Sequence, residues 1–120
     1  MPVKTILVAE DDAGVRGFLV TALERNGYQV LAAVDGSEAI AILGHTAIVI
    51  HAVVSDVDMP GATGPEVVAF AGSRRPGIGL ILASGTNLWT ADQIPGGVKL
   101  LQKPFTFDQL VDAIEAAMPS

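Results

Sequence analysis

The chain has 120 residues, of which 50% are hydrophobic and 17% charged, so it fits one compact domain and excludes collagen, coiled coil and disorder. Its formal net charge of −6 argues against binding to the phosphate backbone of a nucleic acid, which rests on Lys and Arg side chains. The absence of cysteine excludes disulfides and zinc-thiolate sites, and no apolar run reaches the roughly 18 residues that span a bilayer.

The N-terminal segment predicts a buried strand followed by an amphipathic helix. Thr5 to Ala9 is a nearly continuous apolar run, typical of a strand buried on both faces of a parallel sheet. Acidic residues follow directly, where a signal peptide would need a longer apolar core, so we expect a cytoplasmic location. Asp12 and Gly27 are placed to begin and end the helix. Its apolar series at helical spacing is Val15, Phe18, Leu19, Ala22 and Leu23.

The alternation of strand and helix continues towards the C-terminus. Capping boxes at Thr63 to Glu66 and at Thr106 to Gln109 predict the starts of two helices. Residues 87–94 give a weaker helix pattern, and the apolar stretch 47–50 has no assignment. Five repeats of strand and helix predict a doubly wound parallel sheet with helices on both faces, in a single domain over residues 1–120. The remaining predicted elements are strands at 28–33, 52–55, 79–83 and 98–101, and a helix at 37–43 that Ser37 caps after a turn at Asp35.

Polar side chains follow the predicted strands, and ligands bind beyond the carboxyl ends of strands in such sheets. If the first and third strands are neighbours, four carboxylates crowd together and need a cation. Oxygen ligands without His or Cys favour Mg²⁺ or Mn²⁺. An ammonium group and a hydroxyl group after two other strands complete a site for a phosphoryl group. The carboxylates belong to Glu10, Asp11, Asp56 and Asp58, the ammonium group to Lys103 and the hydroxyl group to Ser84.

Four segments together resemble the receiver domains of response regulators. Ile6 to Asp12 is similar to their acidic pair, and Asp56 to Gly61 is similar to their phosphoacceptor loop. Ser84-Gly85 and Lys103-Pro104-Phe105 are similar to their switch hydroxyl and Lys-Pro motif. The match runs over nearly the whole chain. It implies a flavodoxin-like fold with strand order 2-1-3-4-5 and a role in two-component or phosphorelay signalling.

The resemblance implies a covalent role for Asp56. This side chain would take a phosphoryl group from a phosphohistidine on a sensor histidine kinase or histidine phosphotransfer protein. The chain would catalyse its own phosphorylation and dephosphorylation, without turning over an external substrate. Asp11 and Asp56 would bind Mg²⁺ directly, Glu10 would bind it through water, and Asp58 would offer its backbone carbonyl.

The same resemblance assigns the remaining residues and shows one departure. Lys103 and Ser84 would each hold a phosphoryl oxygen, and the Lys103–Pro104 peptide bond would be cis. Leu100 stands where most receivers have an aromatic residue, so output to an unknown downstream protein would depend on Thr86 and Trp89. Asp58 and Thr86 are expected to tune dephosphorylation. We expect a monomer or weak dimer.

Three other functions fit parts of the pattern. Asp56-Val57-Asp58 also fits the nucleophile motif of haloacid-dehalogenase-type phosphatases, which place it after their first strand. A toprim-like Mg²⁺ module of nucleic-acid enzymes has a Glu after strand one and Asp-x-Asp after strand three, but it expects Gly after the Glu and contacts DNA. A degenerate receiver that serves only as a binding module is the third alternative.

Overall fold

The computed structural model describes residues 3–85 and 96–118. In these two stretches the chain alternates between strands and helices, as the sequence predicts. The helix predicted at 87–94, with Thr86 and Trp89, lies outside the described residues. The strands are β1 (Thr5–Ala9), β2 (Gln29–Ala33), β3 (Ala52–Asp56), β4 (Gly79–Ser84) and β5 (Lys99–Gln102). The helices are α1 (Ala13–Arg25), α2 (Gly36–Gly44), α3 (Gly64–Arg74) and α4 (Phe107–Ala117).

The strands form one parallel sheet in the order β2-β1-β3-β4-β5. The prediction of a doubly wound parallel sheet is therefore confirmed, and so is the strand order that the resemblance implies. Ala9 at the end of β1 lies opposite Ser55 near the end of β3. The carboxyl ends of these two strands are thus neighbours, which is the condition for the predicted acidic cluster.

The core lies in two layers, one on each face of the sheet. Leu7 and Val53 face the layer that α2 and α3 cover, and the next residue along each strand faces the layer that α1 and α4 cover. This period of two is the geometry of an extended strand, and it explains why both faces of β1, β3 and β4 are apolar. The outer strands β2 and β5 are more exposed. The buried central strands therefore fix the positions of the strand ends that carry the site residues.

The starts of three helices confirm the predicted caps. The Asp12 carboxylate accepts the backbone N–H of Val15 at 2.9 Å and begins α1. Both capping boxes form, with Thr63 beginning α3 and Thr106 beginning α4. Each cap satisfies a backbone donor that the first helical turn leaves without a partner.

The start of α2 differs from the prediction. The cap is Asp35, whose carboxylate accepts the N–H of Glu38 at 2.8 Å, and Ser37 lies inside the first turn. The Glu38 carboxylate in turn accepts the N–H of Val34 at 3.0 Å. Two side-chain hydrogen bonds therefore hold the first turn, although Glu38 bonds to the residue before the cap and not to the cap itself, as it would in a capping box.

Two apolar stretches are less buried than their composition suggests. Val15 and Phe18 on α1 are 37% and 56% exposed, although they belong to the helical apolar series. In the unassigned stretch 47–50, which forms neither strand nor helix, Ile50 alone is buried. Within the described residues, none of the helices is long and apolar enough to cross a membrane.

Candidate functional site

The site forms where four strands end at one edge of the sheet. Glu10 follows β1, Asp56 is the last residue of β3, and Ser84 is the last residue of β4. Lys103 follows β5, and its backbone N–H donates to the carbonyl of Ser84 at 2.7 Å. The parallel register therefore brings together residues that lie up to 93 positions apart in the chain.

Three carboxylates crowd together at this edge. Glu10, Asp11 and Asp56 each place an oxygen atom within 4.8 Å of the others. Glu10 is buried, Asp56 is half-buried and Asp11 is exposed. The donor set consists of oxygen atoms without His or Cys, which is the chemistry that hard divalent cations such as Mg²⁺ and Mn²⁺ prefer. The residues therefore fit the metal site that the sequence predicts.

Lys103 places its charge inside this cluster. Its Nζ atom donates to Asp56 Oδ1 at 3.0 Å and to Glu10 Oε2 at 3.4 Å. The lysine side chain is 29% exposed, whereas those of Glu10 and Asp56 are 4% and 14% exposed. The Lys103–Pro104 peptide bond is cis, as the resemblance implies. One ammonium group thus offsets part of the charge of three carboxylates and directly contacts the predicted acceptor.

The charges in the cluster alter two acid–base equilibria. Burial raises the pKa of Glu10 above its ordinary value and the charge of Asp56 raises it further, whereas the Asp12 N–H and Lys103 oppose this rise. Burial alone would lower the pKa of Lys103. The hydrogen bond to Asp56 and the negative charges of Asp56 and Glu10 outweigh burial, so the pKa of Lys103 is raised. Lys103 therefore remains a cation at neutral pH.

The other two predicted site residues lie close to the cluster but outside its ring of carboxylates. Ser84 is 2% exposed and ends β4 beside the C-terminal end of β3. Asp58 has an exposed side chain, and among the described residues it is not a member of the three-carboxylate group. A role for Asp58 in holding an ion would therefore fall to its backbone carbonyl, as the resemblance implies.

Arg16 is a site residue that the sequence analysis missed. From α1, its Nη1 atom donates to the carbonyl of Glu10 at 2.9 Å and to that of Asp11 at 3.4 Å. These bonds hold the turn between β1 and α1 that carries two of the three carboxylates. The signal in the sequence was an arginine that follows the acidic triplet by one helical turn, on the side that faces back to β1.

An open groove lies beside the site. It has a volume of about 440 Å³, and its lining is mainly apolar. Lys103 is one of the lining residues and also contacts Asp56, so the groove lies next to the acidic cluster. The exposed side chains of Val15 and Phe18 form part of its wall. This position explains why the apolar series of α1 extends beyond the core.

Comparison with known proteins identifies relatives along the whole chain. The family model described as the response regulator receiver domain matches residues 6–115. The response regulator receiver protein CpdR of Brucella abortus is 34% identical over 115 residues, which cover 93% of this chain and 94% of CpdR. A crystal structure of a response regulator receiver protein from Sinorhizobium medicae WSM419 superposes with a TM-score of 0.87 at 29% identity, covering 96% of this chain and 94% of that one.

Some relatives are much longer than this chain. The sensor kinase CckA of Brucella abortus is 35% identical over 114 residues, which cover 92% of this chain and 12% of CckA. The transcriptional regulatory protein YrkP of Bacillus subtilis is 34% identical, and the match spans 88% of this chain and 45% of YrkP. The same domain therefore occurs both as nearly the whole of a protein and as one part of larger ones.

Proposed function

Since the chain belongs to the response regulator receiver domain family, we propose that Asp56 accepts a phosphoryl group from a phosphohistidine donor in a two-component or phosphorelay pathway. The observation that carries this proposal is the contact of Lys103 Nζ with Asp56 Oδ1 at 3.0 Å, inside a group of three carboxylates. An isolated aspartate on the surface would be solvated by water and would need no contact with a lysine. In this proposal residues 1–120 form a single receiver domain.

The transfer is a displacement at phosphorus. A carboxylate oxygen of Asp56 attacks the phosphorus atom and forms the new P–O bond, while the N–P bond to the donor imidazole breaks. The imidazole leaves with the bonding electron pair. Lys103 stabilises the charge on an equatorial phosphoryl oxygen, and Ser84 donates its hydroxyl hydrogen to another. Attack by water on the same phosphorus later releases inorganic phosphate and restores the carboxylate, so the chain catalyses its own dephosphorylation.

The acidic cluster is the proposed Mg²⁺ site, which Mn²⁺ could also fill. The carboxylates of Asp11 and Asp56 and the backbone carbonyl of Asp58 would hold the ion, and Glu10 would contact it through water. When bound, the ion acts as a Lewis acid that neutralises charge on the transferred group. Three carboxylates beside one ammonium group leave an excess of negative charge, which supports this assignment.

The proposed donor is a protein, either a sensor histidine kinase or a histidine phosphotransfer protein. The mainly apolar groove beside Lys103 offers such a protein a surface next to the acceptor. We place the reaction in the cytoplasm, with a monomer or weak dimer as the active form. The downstream partner is a protein, and Leu100, which is 44% exposed, replaces the usual aromatic residue of the output surface.

Two alternative functions conflict with the family. Haloacid-dehalogenase-type phosphatases place Asp-x-Asp after their first strand, whereas Asp56 ends β3. A toprim-like module would leave Lys103-Pro104 without a role. A degenerate receiver that serves only as a binding module is the remaining alternative. In that case Asp56 would take up no phosphoryl group.

The proposal is tested by the intact mass of the protein after incubation with acetyl phosphate and Mg²⁺. We expect one added phosphoryl group that is labile to base. Asp56→Asn and wild type with EDTA are the two controls, and neither should gain mass. A phosphohistidine-bearing phosphotransfer protein is the second donor, because some receivers reject small donors. Failure of both donors would indicate the degenerate binding module.

A further inference from the structure

The loop that follows Asp56 rests against the first turn of α2. Gly36 is buried at the start of that helix. A Cβ atom on Gly36 would overlap the carbonyl oxygen of Ala62 and would lie 2.7 Å from its carbonyl carbon. The obstacle is backbone, which cannot rotate away as the end of a flexible side chain can. Glycine is therefore required at position 36 for the two segments to touch.

A second contact runs in the opposite direction. Gly61 has a φ of +77°, in the left-handed region, and a Cβ atom there would overlap Ser37 Oγ. Each segment thus contributes one glycine to the contact. Gly36 faces Ala62, which follows Gly61, and Gly61 faces Ser37, which follows Gly36. The acceptor loop and the first turn of α2 are consequently interlocked.

The base of the same loop is held independently. The N–H of Gly64 donates to the carbonyl of Val57 at 2.9 Å. A Cβ atom on Gly64 would overlap the carbonyl oxygen of Asp56 and would lie 2.8 Å from the Cα atom of Val57. The loop is thus held at its base by this bond, while Gly61 and Ala62 at its other end rest on the first turn of α2.

The first turn of α2 is itself rigid. The Asp35 carboxylate accepts the N–H of Glu38, and the Glu38 carboxylate accepts the N–H of Val34. It can therefore act as a stop for the loop, and it lies towards β2, on the side of the sheet opposite to β5 and Leu100. A conformational change that passes from the site to α2 would therefore not involve Leu100.

We infer that the first turn of α2 positions the loop after Asp56, with Gly36 as the positioning residue, so that ion binding and phosphorylation at Asp56 alter this turn. The inference rests on the proposed function. Its structural basis is the short path along the chain from Asp56 through Asp58 to Ala62, in the loop that the bond between Gly64 and Val57 closes. Residues that orient metal ligands without binding the metal typically contribute about 10–100-fold to affinity.

The first test follows backbone amides of the wild-type protein by NMR during titration with Mg²⁺, and then with Mg²⁺ and acetyl phosphate. We expect the amides of residues 36–38 to shift with the same Mg²⁺ midpoint as that of Asp58. The amide of Gly77, near the opposite end of the sheet, is the internal reference. The inference is overturned if Asp58 shifts while residues 36–38 move no more than Gly77.

The second test compares Gly36→Ala with Gly17→Ala. The Cβ atom of the control would meet nothing within 4 Å, so it makes the same substitution in a helix without touching the loop. We expect Gly36→Ala to weaken Mg²⁺ binding and slow phosphorylation by about tenfold, and Gly17→Ala to leave both unchanged. Equal Mg²⁺ affinity and rate in the two variants would refute the inference.

Two further arms keep the outcomes separate. Ser37→Val adds bulk towards Gly61 from an exposed position, so it gives a milder version of the same defect if Gly36→Ala does not fold. Wild type that takes up no phosphoryl group would contradict the proposed function, while the Mg²⁺ titration would still judge the interlock. A phosphorylated wild type with normal Gly36→Ala and Ser37→Val variants would contradict the interlock alone.

Discussion

Replacing Lys103 by methionine should leave the repulsion among the three carboxylates of the site without a compensating positive charge. The change keeps much of the aliphatic stem but removes the charge that lies 3.0 Å from Asp56 and 3.4 Å from Glu10. Removing one partner of a buried ion pair costs about 3–5 kcal/mol, because the other charge is left without compensation. Since Lys103 is 29% exposed, water screens part of this interaction. We expect the free energy of unfolding to fall by about 2 kcal/mol in metal-free buffer.

Mg²⁺ should reverse part of this loss. Without the competing ammonium group, the three carboxylates should bind the ion more tightly, and each tenfold gain in affinity adds about 1.4 kcal/mol of stabilisation at saturating ion. Urea unfolding with EDTA and with Mg²⁺ measures both effects. Lys99→Met, at an exposed position on β5, is the matched control and should change neither. A loss that is equal with and without Mg²⁺ would show that Lys103 contributes through packing and refute the electrostatic explanation.

Three other outcomes follow from the same site and from the groove. Asp11→Asn removes one of three like charges, so it should raise the free energy of unfolding of the metal-free protein by about 1 kcal/mol and weaken the stabilisation by Mg²⁺. Urea unfolding measures both effects, and a metal-free variant less stable than wild type would contradict this. Because burial raises the pKa of Glu10, its contribution to stability is present below the ordinary pKa of glutamate and is lost as the pH rises through the raised value. In metal-free buffer the stability of wild type should therefore decrease relative to Glu10→Gln over that rise, and a constant difference would disprove it. Phe18→Ser should slow phosphoryl transfer from a phosphohistidine protein by about tenfold, because it would remove roughly 1.4 kcal/mol of binding energy between the two proteins. The rate with acetyl phosphate should not change. Equal slowing with both donors would assign Phe18 to the phosphorylation site itself.

The sheet was predictable because its signals are local. The apolar runs of the central strands and the two capping boxes, Thr63 with Glu66 and Thr106 with Gln109, each depend on a few consecutive residues. The cap of α2 was assigned wrongly for a related reason. Asp35 and Ser37 are both good caps, and the choice depends on where the first helical turn begins. In the structure it begins after Asp35, whose carboxylate accepts the N–H of Glu38.

The extent of burial was less predictable than the elements. The spacing of Val15 and Phe18 shows which face of α1 is apolar, but not how far the neighbouring elements extend to cover it. The same limit applies to the stretch 47–50, where Ile50 is buried beside exposed Ile48 and Val49. The spacing of apolar residues describes a single helix or strand, whereas burial also depends on the element that packs against it.

The site could be predicted in composition but not in all its contacts. The rule that strand ends meet at one edge, together with the resemblance, predicted that Lys103 and Asp56 lie close together. The bonds of Arg16 to two backbone carbonyls and the approach of Gly36 to Ala62 depend on backbone positions in different loops. No periodicity or motif spacing encodes such a distance.

The most direct test of the central claim maps the site of phosphorylation. Wild type is incubated with acetyl phosphate and Mg²⁺ and then reduced with borohydride, which converts an aspartyl phosphate to homoserine. Peptide mass spectrometry then locates the converted residue. We expect homoserine at Asp56, and none in unphosphorylated protein or after incubation with EDTA. Conversion at another aspartate, such as Asp11 or Asp58, would contradict the assignment of Asp56 as the phosphoryl acceptor.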